Sequence, residues 1–284
     1  MKRAWWSCVL SWFVLGVAAI ASAQSPTDSP VQPTASEPKA VLLENLTWDE
    51  AERVLTADAV VVIALGAESK EHGRHLPLNN DFLMAEYFKQ RVLAATPKGV
   101  VVAPTINYSY YPAFLEYPGS TTLSMNTARD MFIDIARSLA HYGPRRFYVL
   151  NTGLSTLAPL AQAAAKLADD GILLRYSDFS KDDPVEAKIR QSGGTHADEI
   201  ETSMMLYISP ASVQMKKATR DFNPHQPGGL TRDSKGKGTY SPTGAWGDPT
   251  LATREKGQAV VESNLASILK DIDDLRHASA VPPR

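Results

Sequence analysis

The chain has 284 residues, 44% of them apolar, and carries 29 basic and 31 acidic side chains for a net charge of −2. That balance offers no basic face to a polyphosphate, so nucleic acid is not an expected partner. The single cysteine, Cys8, lies near the amino terminus, which leaves any domain downstream without disulfides, a thiol nucleophile or a thiolate ligand and makes its stability depend on a hydrophobic core.

The opening stretch, "MKRAWWSCVLSWFVLGVAAIASAQ", begins with Lys2 and Arg3, is apolar through Ile20 and ends in Ala21-Ser22-Ala23. This is the pattern of a secretory signal cleaved after Ala23, and its apolar run is short for a membrane-spanning anchor. The expected product is exported, periplasmic or secreted, without stable membrane insertion once the signal is removed. Residues 24–41 are rich in Pro, Ser and Thr and read as a disordered spacer. One domain over 42–284 follows.

Within that domain, Thr47 and Glu50 have the spacing of a capping box, which predicts a short helix through Leu55. "AVVVIAL" (59–65) and "GVVVAP" (99–104) are apolar at every position, as strands covered on both faces are. "RFYVLN" (146–151) and "ILLRYS" (172–177) resemble them. Residues 81–93, 127–142 and 157–168 have apolar side chains at helical spacing, and a last helix is predicted from Asp248-Pro249 to Arg276. The alternation predicts an α/β fold: a layered, mostly parallel sheet flanked by helices. In such sheets ligands bind beyond the carboxyl ends of the strands.

The first strand runs straight into "GAESKEHGRHLPLNND" (66–81), which holds Glu71, His72, His75 and Asp81. Imidazole and carboxylate together suit a divalent ion such as zinc, manganese or iron; histidines that merely cap strand ends would show the same spacing. The aromatic run "NYSYYPAFLEYPG", with Tyr108, Tyr110, Tyr111, Phe114 and Tyr117, is as compatible with a wall for a planar ligand as with packing between subunits. "RDSKGKGTYSPTGAWG" (232–247) reads as a mobile loop. His141, His225 and His277 read as surface or structural.

"HGRHLPLNNDFLMAE" resembles the signature of the creatininase family, Gly-Ser-x-Glu-Gln-His-Gly-Pro-His-Leu-Pro-x-x-x-Asp. "GGTHADEIETS" (193–203) is similar to the family's His-Ala-Gly-x-x-Glu-Thr-Ser, and "YPGSTTLS" (117–124) to its Pro-Gly-Thr segment. These stretches follow the family's order from about Leu42 onward. The resemblance implies a layered α/β fold, a homo-oligomer, one or two divalent metals and hydrolysis of small amides, the ring amide of creatinine among them. It implies His72 and Asp81 as metal ligands with Glu71 beside them, and His196 and Glu201 in catalysis. It brings His75 near the site, where His75, Asn151 and Tyr111 are candidates for substrate binding.

Two departures stand against a complete copy. Aligned on His72, the family's ligand Glu falls on Lys70, a cation; and where the family has a ligand His, "NTGLST" has Gly153. Lys70 is instead positioned to pair with Asp81 in place of a lost cation. Three outcomes are open at this stage: a hydrolase with one metal acting on non-peptide C–N bonds, a metal-free site with changed chemistry, and a non-catalytic extracytoplasmic protein that binds a small molecule on the same scaffold.

Overall fold

The computed structural model describes residues 39–179 and 183–279; the stretch read as a secretory signal and nearly all of that read as a spacer lie outside them. Five parallel strands form one sheet: β1 (Val41–Leu42), β2 (Val60–Leu65), β3 (Val100–Ile106), β4 (Arg146–Asn151) and β5 (Leu173–Tyr176). Their spatial order is β1-β3-β2-β4-β5. Val41 was assigned from the sequence to the tail of the spacer, but it pairs with Val101 and so belongs to the sheet.

Every residue of β2 is buried because both faces of the sheet are covered and successive side chains point to opposite faces. Val60 and Val62, with Val100, Val102, Tyr148 and Leu150, pack against helices α2 (Asn80–Ala95), α6 (Glu199–Ile208) and α7 (Arg254–Arg276). Val61, Ile63 and Leu65, with Val101, Phe147 and Val149, pack against α3 (Met125–Ala140), α4 (Leu157–Asp169) and the apolar side of α1 (Trp48–Val54). The result is three layers, helix on sheet on helix, as the all-apolar strands predict. Each fully buried Phe, Leu, Ile or Val contributes about 1.5–3 kcal/mol, so the two cores account for a stable fold without cross-links.

The helix ends follow the local chemistry. Thr47 and Glu50 form the predicted capping box of α1, Ser124 caps α3, and Asp198 caps α6 by accepting from the Ile200 and Glu201 N–H groups. Two expectations need correction. Asp248-Pro249 starts only a single 3-10 turn, Pro249–Leu251; α7 begins at Arg254, where Thr253 accepts from the Lys256 N–H. The segment 232–247, read as mobile, is tied down. Its strand β7 (Thr239–Tyr240) pairs in parallel with β6 (Leu230–Thr231) just before it, and the buried Asp221 carboxylate accepts from Ser241, the Thr243 amide and the Thr243 hydroxyl. A short helix, α5 (Pro184–Ile189), completes the described elements. No described helix is long and apolar enough to cross a membrane.

β2 lies between β3 and β4, so the chain leaves its carboxyl end to one side and returns to the other. The crevice at such a reversal is where open parallel sheets bind ligands.

Candidate functional site

At the end of β2 the chain enters the loop 66–79, and the segment 109–124 holds that loop in place. Ser69 donates to the Gly119 carbonyl at 2.5 Å, the Thr121 amide donates back to Ser69, and the Glu71 amide donates to the Ser120 hydroxyl at 3.0 Å. The Pro-Gly-Ser-Thr stretch thus fixes the backbone on which Lys70, Glu71 and His72 stand. From the opposite side, His196 is clamped by a two-residue bridge to Trp246, with the Trp246 amide donating to the His196 carbonyl at 2.8 Å.

These elements bring His72, His196 and Glu201 together, each offering a ligand atom within 4.8 Å of the others. The His72 and His196 rings lie 5.1 Å apart between centroids. His72, fully buried, donates from Nδ1 to the Lys70 carbonyl at 2.9 Å, and its Nε2 is 3.4 Å from Glu201 Oε1. His196 donates from Nε2 to Glu71 Oε2 at 3.1 Å, leaving Nδ1 on the Glu201 side, 4.0 Å from Oε2. Glu201 is itself held: Asn80 donates to Oε1 at 3.1 Å and the Ala197 amide to Oε2 at 2.7 Å. Ala197 has a φ of 47°, the left-handed region that costs a non-glycine residue on the order of 1 kcal/mol; that turn aims its N–H at Glu201.

Asp81 adjoins this trio through His72 and is paired with Lys70. Its Oδ2 lies 2.6 Å from Lys70 Nζ and its Oδ1 accepts from His72 Nε2 at 2.7 Å. All three residues are buried. Burial, the largest influence on Asp81, disfavours its charge, yet His72 and Lys70 together hold its carboxyl well below the ordinary range. For His72 burial again opposes charge, and Asp81 and Glu201 overcome it to raise the imidazole's pKa, against the opposing effect of Lys70.

The other sequence candidates fall further out. Glu71 is not among the clustered ligand atoms; it orients His196 and accepts from the Gly73 amide. His75 is buried with Nε2 2.8 Å from the Thr202 hydroxyl, and burial lowers its pKa to about 4, so it stays neutral at pH 7. Asn151 uses its amide within the β4–α4 turn, donating to the Gly153 and Ser177 carbonyls and accepting from Thr156. Tyr111 is buried below Lys70, whose Nζ is 5.5 Å from its ring centroid. The cavity that opens onto the cluster, about 560 Å³ in volume, has other walls, among them Lys70, Phe114, Gly153, Leu154, His196, Glu201, His225 and Trp246. His225, read as surface or structural, is exposed, with its ring tilted against Trp246 at 5.3 Å between centroids, and it also lines the cavity. The aromatic run had flagged Phe114, whose ring is 4.4 Å from that of His196; nothing local in the sequence marked Trp246 as its counterpart.

The donor set fits one divalent ion. Two imidazoles and a carboxylate are the protein ligands of an open, catalytic zinc-type site, and each imidazole has its other nitrogen on a carbonyl or carboxylate, as metal-bound histidines do. Gly153 brings no ligand, and the Lys70 ammonium stands on the Asp81 carboxylate, so no second set of this kind exists among the described residues.

The comparisons agree with the fold and the motifs. The creatininase family profile, described as creatinine amidohydrolase, matches residues 44–272. Creatinine amidohydrolase of Pseudomonas putida is 30% identical over 251 residues, covering 79% of this chain and 93% of that protein. A mycofactocin precursor peptide peptidase of Mycobacterium ulcerans (strain Agy99) is 27% identical over 209 residues, 70% of this chain and 79% of its own. A solved structure described as "Creatininase Mn" superposes with a TM-score of 0.67 at 25% identity, covering 84% of this chain and all of that one. A three-layer α/β scaffold with a histidine–carboxylate cluster at the crevice of its parallel sheet defines the class. This chain belongs to the creatininase family, whose members include amide hydrolases.

Proposed function

We propose that the chain hydrolyses a small neutral amide, cyclic or linear, using one divalent ion held by His72, His196 and Glu201. The observation that carries this reading is the orientation of the two imidazoles. Each is held through one nitrogen, His72 by the Lys70 carbonyl and His196 by Glu71, and the other nitrogen of each lies toward Glu201, that of His72 also bonded to Asp81 at 2.7 Å. Charge supports a single ion: Glu71, Asp81 and Glu201 against Lys70 leave two negative charges, which one divalent cation balances and two would exceed in a buried setting. Zinc suits the donor set, and the relative described as "Creatininase Mn" makes manganese the other choice. The Pseudomonas putida relative's name supports an amide as substrate.

Bound there, the ion supplies Lewis acidity to a carbonyl oxygen or to a water. The chain's residues supply the rest. Glu201 is the carboxylate of the cluster that lines the cavity, and in this reading it takes the proton that an attacking water loses and passes it to the leaving nitrogen. His196, assigned from the sequence to that proton transfer, becomes a ligand here because its nitrogen on the Glu201 side is the one left for the ion. Phe114, Leu154 and Trp246 give the cavity apolar surface against which a small substrate can pack.

The test combines metal content with turnover. Purified protein is expected to contain one zinc or manganese per chain and to hydrolyse a member of a small-amide panel, creatinine included, in a chelator-sensitive way. His72→Ala and Glu201→Ala should lose both properties. Folded protein that binds no divalent ion under loading conditions would overturn the reading. The Lys70–Asp81 pair favours a second reading, a non-catalytic extracytoplasmic binding protein, which requires ligand binding unaffected by chelator and no turnover. Export through the leader and assembly into a homo-oligomer are part of the proposal, to be checked by cell fractionation and light scattering.

A further inference from the structure

Lys70 is 5% exposed, yet its side chain forms part of the cavity wall. Its ammonium has three N–H donors. Among the described residues its one ion-pair partner is Asp81, at 2.6 Å. Phe114 and Tyr111 flank it with ring centroids at 4.9 and 5.5 Å, and rings stabilise a cation without accepting its N–H bonds conventionally. The backbone of Lys70 is pinned at both ends of the peptide unit, its amide on the Leu78 carbonyl and its own carbonyl on His72. The head group is therefore a fixed positive charge beside the cavity with donors that the protein leaves for something else.

We propose that the Lys70 ammonium is the anchor for the substrate's carbonyl oxygen, a role that rests on the hydrolytic reading above. As the water oxygen bonds to the carbonyl carbon, the C=O π pair moves onto the oxygen held by Lys70. When the C–N bond breaks, that pair re-forms C=O and the water's proton ends on the leaving nitrogen. A fixed ammonium in a buried wall stabilises the developing oxyanion without reorganising, and Asp81 holds the ammonium in place. The ligand class is thus an oxygen that carries or develops negative charge, in a substrate of no net charge.

Acetate stands in for the oxyanion as a probe. The full chain, stripped of metal with chelator, is titrated with sodium acetate against a sodium chloride control and followed by NMR. Wild type should bind acetate and shift the Lys70 ε-ammonium resonance. Lys70→Met/Asp81→Asn, which removes both charges together, should bind at least tenfold more weakly. Equal affinity in the two proteins, or an unmoved ammonium signal in wild type, overturns the anchor. The wild-type signal decides the matter even if the double variant does not fold. Zinc titration of the same proteins separates the two readings, because the double variant retains His72, His196 and Glu201. Acetate binding without zinc binding by wild type removes the metal reading and leaves the anchor as an oxyanion site; zinc binding without acetate binding removes the anchor alone.

Discussion

Glu71 reaches His196 only because residue 244 has no side chain. Gly244 has a φ of +86°, and a Cβ there would lie 2.1 Å from Glu71 Oε1. The Glu71 carboxylate occupies that space and accepts from His196 Nε2 at 3.1 Å. Outer carboxylates of this kind fix ring orientation, and losing one weakens metal binding by roughly 10–100-fold. Glu71→Ala and Gly244→Ala are both expected to weaken zinc affinity in that range while leaving all three ligands present. Competition titration against a chromophoric chelator measures it, and unchanged affinity in both variants would remove Glu71 from the site.

Lys70 and Asp81 form a pair whose members depend on each other. Removing one partner of a buried ion pair leaves an uncompensated charge and costs about 3–5 kcal/mol, whereas removing both costs far less. Lys70→Met should therefore unfold at markedly lower urea than wild type, and Lys70→Met/Asp81→Asn should recover most of the loss. Equal destabilisation by the single and double substitutions would show that the pair is not the origin of the effect.

Helices α6 and α7 cross at Gly257, where an added Cβ would stand 1.8 Å from the Ser203 carbonyl oxygen. That contact is backbone, so it cannot be relieved by turning a side chain. Gly257→Ala should force the helices apart and cost about 1–3 kcal/mol or more, as overpacking does. A melting temperature within a degree of wild type would contradict this.

Arg91 on α2 grips Glu262 on α7 through two bonds of 2.8 and 2.7 Å. The Arg91 hydrogen bond is the largest influence lowering the Glu262 pKa, with burial opposing it and Tyr207 assisting. A depressed folded-state pKa gives stability that is present above the unfolded value, near 4.5, and lost as pH falls through the folded one. With the Glu262 side chain 40% exposed, solvent screening limits the pair to about 0.2–1 kcal/mol. Glu262→Gln should be less stable than wild type by that amount at pH 7, and the difference should vanish near pH 3. A gap that persists at low pH would assign the effect to packing.

Much of this was legible in the chain itself. Apolar residues at every position of 60–65 announced a strand covered on both faces, Thr47 and Glu50 announced a helix start, and the polar stretch behind β2 announced a site, because these signals are carried by neighbours in sequence. The family resemblance also pointed to the pairing of Lys70 with Asp81, since Lys70 falls where the family has a ligand Glu and its charge can replace a lost cation there. The division of roles among His72, Asp81, Glu71 and His196 was not legible. Which nitrogen of His196 faces Glu201 depends on Glu71, on the room at Gly244 and on the bridge to Trp246, and these positions lie between 48 and 125 residues from His196 along the chain. The same holds for Trp246, whose place in the cavity wall comes from a segment that looked loose until Asp221 bound it. Sequence periodicity determines which side chains must be buried, because burial is a property of a face. Only the folded chain decides which buried polar atoms meet, because hydrogen bonds and ion pairs are set by distances of a few tenths of an ångström between segments remote in sequence.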